Sequence, residues 1–93
     1  MTTSFKVLPE EEKLWNRLND HYKIWPIDYK FKFIVKSELV SEVKSILQLD
    51  SLELRPSKNG NYQSITVVQN VSSADEILIT YRKVKGIKGI VCL

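Results

Sequence analysis

The sequence predicts an α+β fold in which two helices cover one face of a four-stranded antiparallel sheet. Residues 29–35 alternate between apolar and polar side chains, as a strand with one buried face does. Asn59-Gly60 separates two further strand-like segments, and this pair permits the positive φ angles of a tight hairpin turn. An amphipathic segment of helical period lies on either side of that hairpin, which gives the element order βαββαβ.

An additional short helix is expected before the first strand. Pro9 followed by three glutamates is typical of a helix start, because proline suits the first turn and acidic groups favour the positive end of the helix dipole. Residues 1–8 are predicted to be a loose tail. The helix should end near Asn19, and residues 9–26 form the helix and the lead-in to the first strand, with an apolar stripe of Leu14, Trp15, Leu18 and Tyr22.

The first strand and the helix after it are defined by their periodicity. Tyr29, Phe31, Phe33 and Val35 should point into the core, whereas Lys30 and Lys32 should point away. Ser37 is a plausible N-cap for a helix that ends near Leu49. Its expected apolar stripe is Leu39, Val40, Val43, Ile46 and Leu47.

The hairpin is predicted to join an edge strand to a central strand. The second strand carries Pro56, which lacks an amide donor and is tolerated mainly at a sheet edge. The third strand, Tyr62 to Gln69, should bury Ile65 and Val67. Its opposite side carries Ser64 and Thr66.

The last third of the chain is expected to supply the second helix and a fourth strand. Ser73 and Glu76 have the spacing of a capping box, and Gly86 should end the helix. Residues 87–93 then form an edge strand, with Ile90 and Cys92 on the open sheet face unless the N-terminal helix covers them. Right-handed crossovers favour the ferredoxin-like order 4-1-3-2. The chain is thus expected to be one domain, residues 1–93, with the βαββαβ core at 27–93.

Composition bounds the class of protein. The 93 residues are 43% hydrophobic and 27% charged, with a formal net charge of +3, which is ordinary for a globular domain. One cysteine cannot form an internal disulfide, and neither a signal peptide nor a membrane-spanning segment is evident. We therefore expect a cytoplasmic location.

Two sequence features resemble a known family. Trp25-Pro26 leads into an aromatic strand, and the hairpin carries Ser57, Gly60, Tyr62 and Ser64. Over roughly residues 14–93 this pattern resembles the YbeD-like family of small bacterial proteins of unknown function. The resemblance implies a ferredoxin-like fold similar to ACT domains and a regulatory role. The family has no established catalytic residues, so none are carried over. The chain departs from the pattern in its longer N-terminus and in the two glycines of its last strand.

The sequence favours binding over catalysis. His21 and Cys92 are the only residues of their types, so no set of metal ligands is present, and neither a metal nor a cofactor is expected. The glutamates at 10–12 suit a helix N-terminus better than an acid–base site. An acylphosphatase-like enzyme is the least favoured reading, because Arg55 lies on the wrong strand and no glycine-rich phosphate loop is present.

The predicted binding residues are Lys30, Lys32 and Arg55 on the open sheet face, Tyr62 and Ser64 in the hairpin, and Trp15 as an apolar anchor. The expected partner is another protein or a second copy, bound through the last strand or the open face, with room for a small ligand. The hairpin residues 57–64 are also those that the turn itself requires. The alternative is a nucleic-acid-binding domain of the same fold, which is disfavoured because the strand aromatics should face inward.

Overall fold

A computed structural model describes residues 5–49 and 52–93. A short 3-10 turn, Pro9–Glu11, precedes the first helix, and another, Ser37–Leu39, precedes the second. In chain order, the elements are α1 (Glu12–His21), β1 (Ile27–Lys36), α2 (Val40–Ile46), β2 (Glu53–Pro56), β3 (Tyr62–Val71), α3 (Ala74–Val84) and β4 (Val91–Cys92).

The four strands form one antiparallel sheet in the order β2-β3-β1-β4. Its centre is the long β1–β3 ladder, which runs from Ile27 opposite Val71 to Lys36 opposite Tyr62. β2 lies at one edge, as Pro56 requires, and β4 lies at the other. The predicted fold class and strand order are confirmed, and the arrangement is ferredoxin-like.

The core lies between the sheet and the helices. Phe31, Phe33 and Val35 of β1 are fully buried, as is Ile65 of β3. All three helices contribute to the same buried cluster, with Leu18 from α1, Val43 from α2 and Ile77 from α3 among its members. The alternation predicted from β1 therefore holds, and it places the intervening lysines on the side away from the helices.

Side-chain contacts fasten α1 to α3. The indole N–H of Trp15 donates to Asp75 Oδ1 at 2.9 Å, and the guanidinium of Arg82 pairs with Glu11. Of the predicted tail, residues 1–4 lie outside the described residues. Phe5 lies under the Arg82 guanidinium at 4.6 Å, and Arg82 also donates to the Lys6 carbonyl at 2.7 Å.

The last strand is much shorter than predicted. Residues 87–90 form turns, with Gly89 at φ +74° and the Ile87 side chain 2% exposed. Only Val91 and Cys92 pair with β1, and the Leu93 N–H adds one bond to the Lys32 carbonyl. The chain turns here for two reasons. Ile87 packs into the core, and Gly89 adopts a left-handed conformation; neither is compatible with an extended strand.

The predicted position of Cys92 is also wrong. Cys92 lies opposite Phe33, and directly opposed residues of antiparallel strands point to the same face. Cys92 therefore lies on the helix side of the sheet. Val91, which lies opposite Ile34, is the β4 residue that points to the open face.

The two predicted caps act differently from expectation. Ser37 starts a 3-10 turn, and its hydroxyl donates to the Gly60 carbonyl, which ties the end of β1 to the hairpin. Ser73 is the N-cap of α3 but makes no side-chain cap bond. The Glu76 carboxylate instead accepts from the Ser72 N–H at 2.8 Å. Both serines mark element boundaries, as predicted, without the predicted hydrogen bonds.

The hairpin turn lies where Asn59-Gly60 predicts it. Gly60 has φ +78°, and its N–H donates to the Ser57 carbonyl at 2.9 Å. The Asn59 side chain accepts from the Asn61 N–H at 3.1 Å, and Ser57 Oγ accepts from the Tyr62 N–H at 3.0 Å. Polar groups of the hairpin are thus used largely within the turn. No helix in the described residues is long and apolar enough to cross a membrane.

Candidate functional site

The sheet face opposite the helices is the first candidate site. The registers of the four strands place 13 side chains there. We call this surface the basic face, and its residues are Asp28, Lys30, Lys32, Ile34, Lys36, Glu53, Arg55, Tyr62, Ser64, Thr66, Val68, Asn70 and Val91.

Five of the six predicted binding residues come together on the basic face. Arg55 lies opposite Ser64, and Lys32 lies opposite Thr66 in the neighbouring pair of strands. Tyr62 stands opposite Lys36, at the hairpin end of the sheet, and Lys30 lies one alternation beyond Lys32. Trp15 is separate from them, because α1 packs on the other side of the sheet and its indole bonds to Asp75.

The basic face carries more positive than negative charge. Four cations lie on it, and the sequence-based list missed Lys36 because the predicted strand stopped one residue too early. The acidic groups are Asp28 and Glu53. Asp28 accepts from the Asn70 amide at 3.0 Å. In the described part of the chain, neither of the two ion pairs involves a cation of this face.

Apolar side chains lie among these cations. Val68 is 58% exposed and Val91 is 49% exposed, while Ile34, opposite Val91, is half-buried. Tyr62 is the one aromatic residue of the basic face. The aromatic residues of β1 lie on the helix side, where Tyr29, Phe31 and Phe33 form edge and stacked contacts. The face thus combines charge and exposed aliphatic groups without a platform of aromatic rings.

A cleft on the opposite side of the sheet is the second candidate site. It lies between α1, α3 and β4 and has a volume of about 670 Å³. We call it the tyrosine cleft, because the hydroxyls of Tyr29 and Tyr81 meet in it at 3.2 Å. Its other walls combine aliphatic groups with charged ones. The aliphatic part includes Leu14, Leu18, Leu78 and Ile90, and the charged part includes Arg17 and Lys85.

Burial favours the neutral forms of two side chains in the tyrosine cleft, Tyr81 and Cys92. Burial, followed by the hydrogen bond with Tyr29, raises the pKa of Tyr81 above its ordinary value. Burial likewise raises the pKa of the Cys92 thiol. His21 also lines the cleft, and among the described residues no hydrogen bond joins it to Cys92.

An ion pair forms one border of the tyrosine cleft. Arg82 Nε donates to Glu11 Oε2 at 2.7 Å, and a second guanidinium nitrogen donates to the other carboxylate oxygen. The hydrogen bond from Arg82 is the main reason that the pKa of Glu11 falls to about 2. The pairing raises the pKa of Arg82 in turn. This two-pronged contact fixes α1 against α3.

Among the residues described, no group of three or more His, Cys, Asp or Glu side chains has the arrangement of a metal site.

Comparison with models of protein families gives a match. A family model described as a protein of unknown function (DUF493) matches residues 20–93, and the predicted YbeD-like resemblance is consistent with it. No curated protein and no solved structure matches the chain.

Proposed function

The chain belongs to the DUF493 family of proteins of unknown function, and we propose that it is a non-catalytic binding module whose basic face docks on an acidic surface of a partner protein. One observation supports this proposal most strongly. The basic face groups four cations, Lys30, Lys32, Lys36 and Arg55, against two acidic residues. Complementary charge favours encounter with an acidic surface and selects against basic ones.

The apolar groups of the basic face support a protein partner. Protein interfaces bury apolar side chains together with polar ones, and Ile34, Val68 and Val91 share this face with the cations. Tyr62 and Arg55 belong to the residue types that most often anchor such interfaces. The exposed valines would become buried when the partner binds.

A regulatory role completes the proposal. We propose that docking modulates a partner enzyme in the manner of ACT-like modules and takes place in the bacterial cytoplasm. A homodimer is the competing arrangement. The two-residue β4 offers few backbone groups for pairing with a second chain, so a dimer would use the open face rather than that edge.

The alternative function is nucleic-acid binding. It is favoured by the same four cations, since lysine and arginine neutralise phosphates. Domains that read single-stranded RNA on a four-stranded sheet stack bases on aromatic side chains. Tyr62 is the one ring that the described residues supply on this face, which makes a protein partner the better fit.

Site-specific photo-cross-linking in the source cell tests the proposal. A benzophenone amino acid replaces Val68 on the basic face, and the same residue replaces Ile79 on α3 as the matched control. Both positions are exposed aliphatic residues, at 58% and 39% exposure respectively. We expect a protein adduct from position 68 and a yield lower by about tenfold or more from position 79, because apolar contact is confined to the docked face.

The identity of the adduct decides between the functions. A heterologous protein that carries an acidic surface at the cross-linked peptide supports the proposal. An adduct that nuclease removes would replace it with the nucleic-acid alternative, and an adduct of two copies of this chain would replace it with a homodimer. Equal yields from both positions would overturn the assignment of the basic face.

A further inference from the structure

The tyrosine cleft has an unused donor that points to a ligand class. Tyr29 Oη and Tyr81 Oη lie 3.2 Å apart, and either hydroxyl can donate to the other. The two hydroxyls carry two protons, and only one of these is donated in the hydrogen bond between them. The second proton remains available to an acceptor that enters the cleft.

Apolar side chains adjoin that donor. Leu14, Leu18, Leu78 and Ile90 line the same space. Charged groups line it as well: Arg82 is paired with Glu11, and the exposed Arg17 and Lys85 complete the wall. A carbonyl oxygen placed beside the tyrosines would gain a hydrogen bond, while the apolar wall would replace the water around the rest of the molecule.

We propose that the tyrosine cleft is a binding site for a small, largely apolar molecule that carries a carbonyl oxygen as its hydrogen-bond acceptor. The acceptor receives a hydrogen bond from the free hydroxyl of the Tyr29–Tyr81 pair, and the apolar body lies against the leucines and Ile90. The cleft volume of about 670 Å³ suits a drug-sized molecule. The site lies across the sheet from the basic face and does not depend on the function proposed for that face.

A fluorescent ketone provides a direct probe. 6-Propionyl-2-dimethylaminonaphthalene is neutral, has an apolar ring system with one strong acceptor, and changes emission when its carbonyl accepts a hydrogen bond. 2-Dimethylaminonaphthalene, which lacks the carbonyl, is the matched control probe. We expect saturable 1:1 binding of the ketone with a dissociation constant below about 100 µM.

The double variant Tyr29→Phe/Tyr81→Phe tests the hydrogen bond while it keeps both rings. Loss of the hydroxyls should weaken binding of the ketone by about fivefold, the usual value of one neutral hydrogen bond. Binding of the control probe should change by less than about twofold. Equal loss for the two probes would overturn the role of the tyrosines.

Cys92 reports the location of the probe in the unaltered protein. Its thiol lines the cleft and is the only thiol in the chain. We expect a saturating concentration of the ketone to slow alkylation of Cys92 by iodoacetamide at least about threefold at pH near 9, where thiolate is present. An unchanged alkylation rate, or ketone binding that does not saturate, would overturn the proposal even if the double variant failed to fold.

Discussion

The two faces of the sheet arise from the same ten residues of β1 but have opposite roles. Facing the helices, Phe31 and Phe33 are fully buried. Facing away, Lys30 and Lys32 are exposed and lie opposite Val68 and Thr66. A side-chain period of two assigns alternate residues to opposite faces, so one short pattern specifies both the main core contacts and the basic surface. We therefore predict that substitutions on the helix side change stability and that, under the proposed function, those on the open side change binding.

Phe31→Ala should produce the largest loss of stability. The ring is fully buried and contacts Tyr29, Phe33 and Tyr81. Its truncation should lower the free energy of unfolding by about 3–5 kcal/mol, measured by urea denaturation. Lys32→Ala, one residue along on the exposed face, is the control and should change it by less than about 0.5 kcal/mol. Similar losses for the two variants would break the comparison.

Gly60→Ala should have the next largest effect, and it acts through the backbone rather than the core. At φ +78° a side chain is strained even though nothing lies within 4 Å of the added Cβ. We expect a loss of about 1 kcal/mol or more in the free energy of unfolding. Gly86→Ala has the same empty surroundings without a positive φ, so thermal denaturation should show it to be near wild type. Equal melting temperatures for the two variants would place the turn elsewhere.

Trp15→Phe sharpens the account of how α1 is held. The substitution keeps an aromatic ring but removes the 2.9 Å hydrogen bond to Asp75. We expect the free energy of unfolding to fall by about 1 kcal/mol through this lost bond, with a further contribution from the smaller ring. In an Asp75→Ala background the same substitution should lower the free energy of unfolding by a smaller amount. A double-mutant cycle with no coupling would show that the bond does not fasten the helix.

Loss of the Glu11–Arg82 pair should have the smallest effect on stability, and this effect depends on pH. The folded-state pKa of Glu11 is lowered from 4.5 to about 2, so its stabilising contribution is present above pH 4.5. That contribution is lost as the pH falls toward about 2. Melting temperatures of the wild type should therefore fall more over this interval than those of Glu11→Gln. Glu12→Gln, at an exposed neighbour, should retain the wild-type slope, and identical slopes for all three proteins would contradict the pairing.

Local periodicity was sufficient to predict most of the fold. The alternation in β1, the Asn59-Gly60 turn and the edge position of Pro56 led to the correct strand order. Prediction failed where tertiary contact decides the path of the chain. Ile87 is drawn into the core, which shortens β4 to two residues and turns Cys92 toward the helices.

The candidate surfaces differ in how far sequence could define them. The basic face follows from strand register, which the alternating pattern already contained, and only Lys36 was missed. The tyrosine cleft could not be predicted, because it joins Tyr29 and Tyr81, which are 52 positions apart. Tyr29 was correctly predicted to point into the core, but that prediction does not specify that its hydroxyl meets the hydroxyl of Tyr81 in an open space.

Charge reversal on the two sides of the sheet tests the central claim most directly. One variant combines Lys30→Glu, Lys32→Glu and Arg55→Glu on the basic face. The matched control combines Lys13→Glu, Lys44→Glu and Lys83→Glu on the three helices, so both sets of three reversals change the formal net charge from +3 to −3. Affinity for the protein cross-linked at position 68 is measured for each, with melting temperature as the check on folding. We predict that the basic-face variant keeps a cooperative melt and binds at least about tenfold more weakly than the helix variant; equal affinities of the two variants would contradict the account.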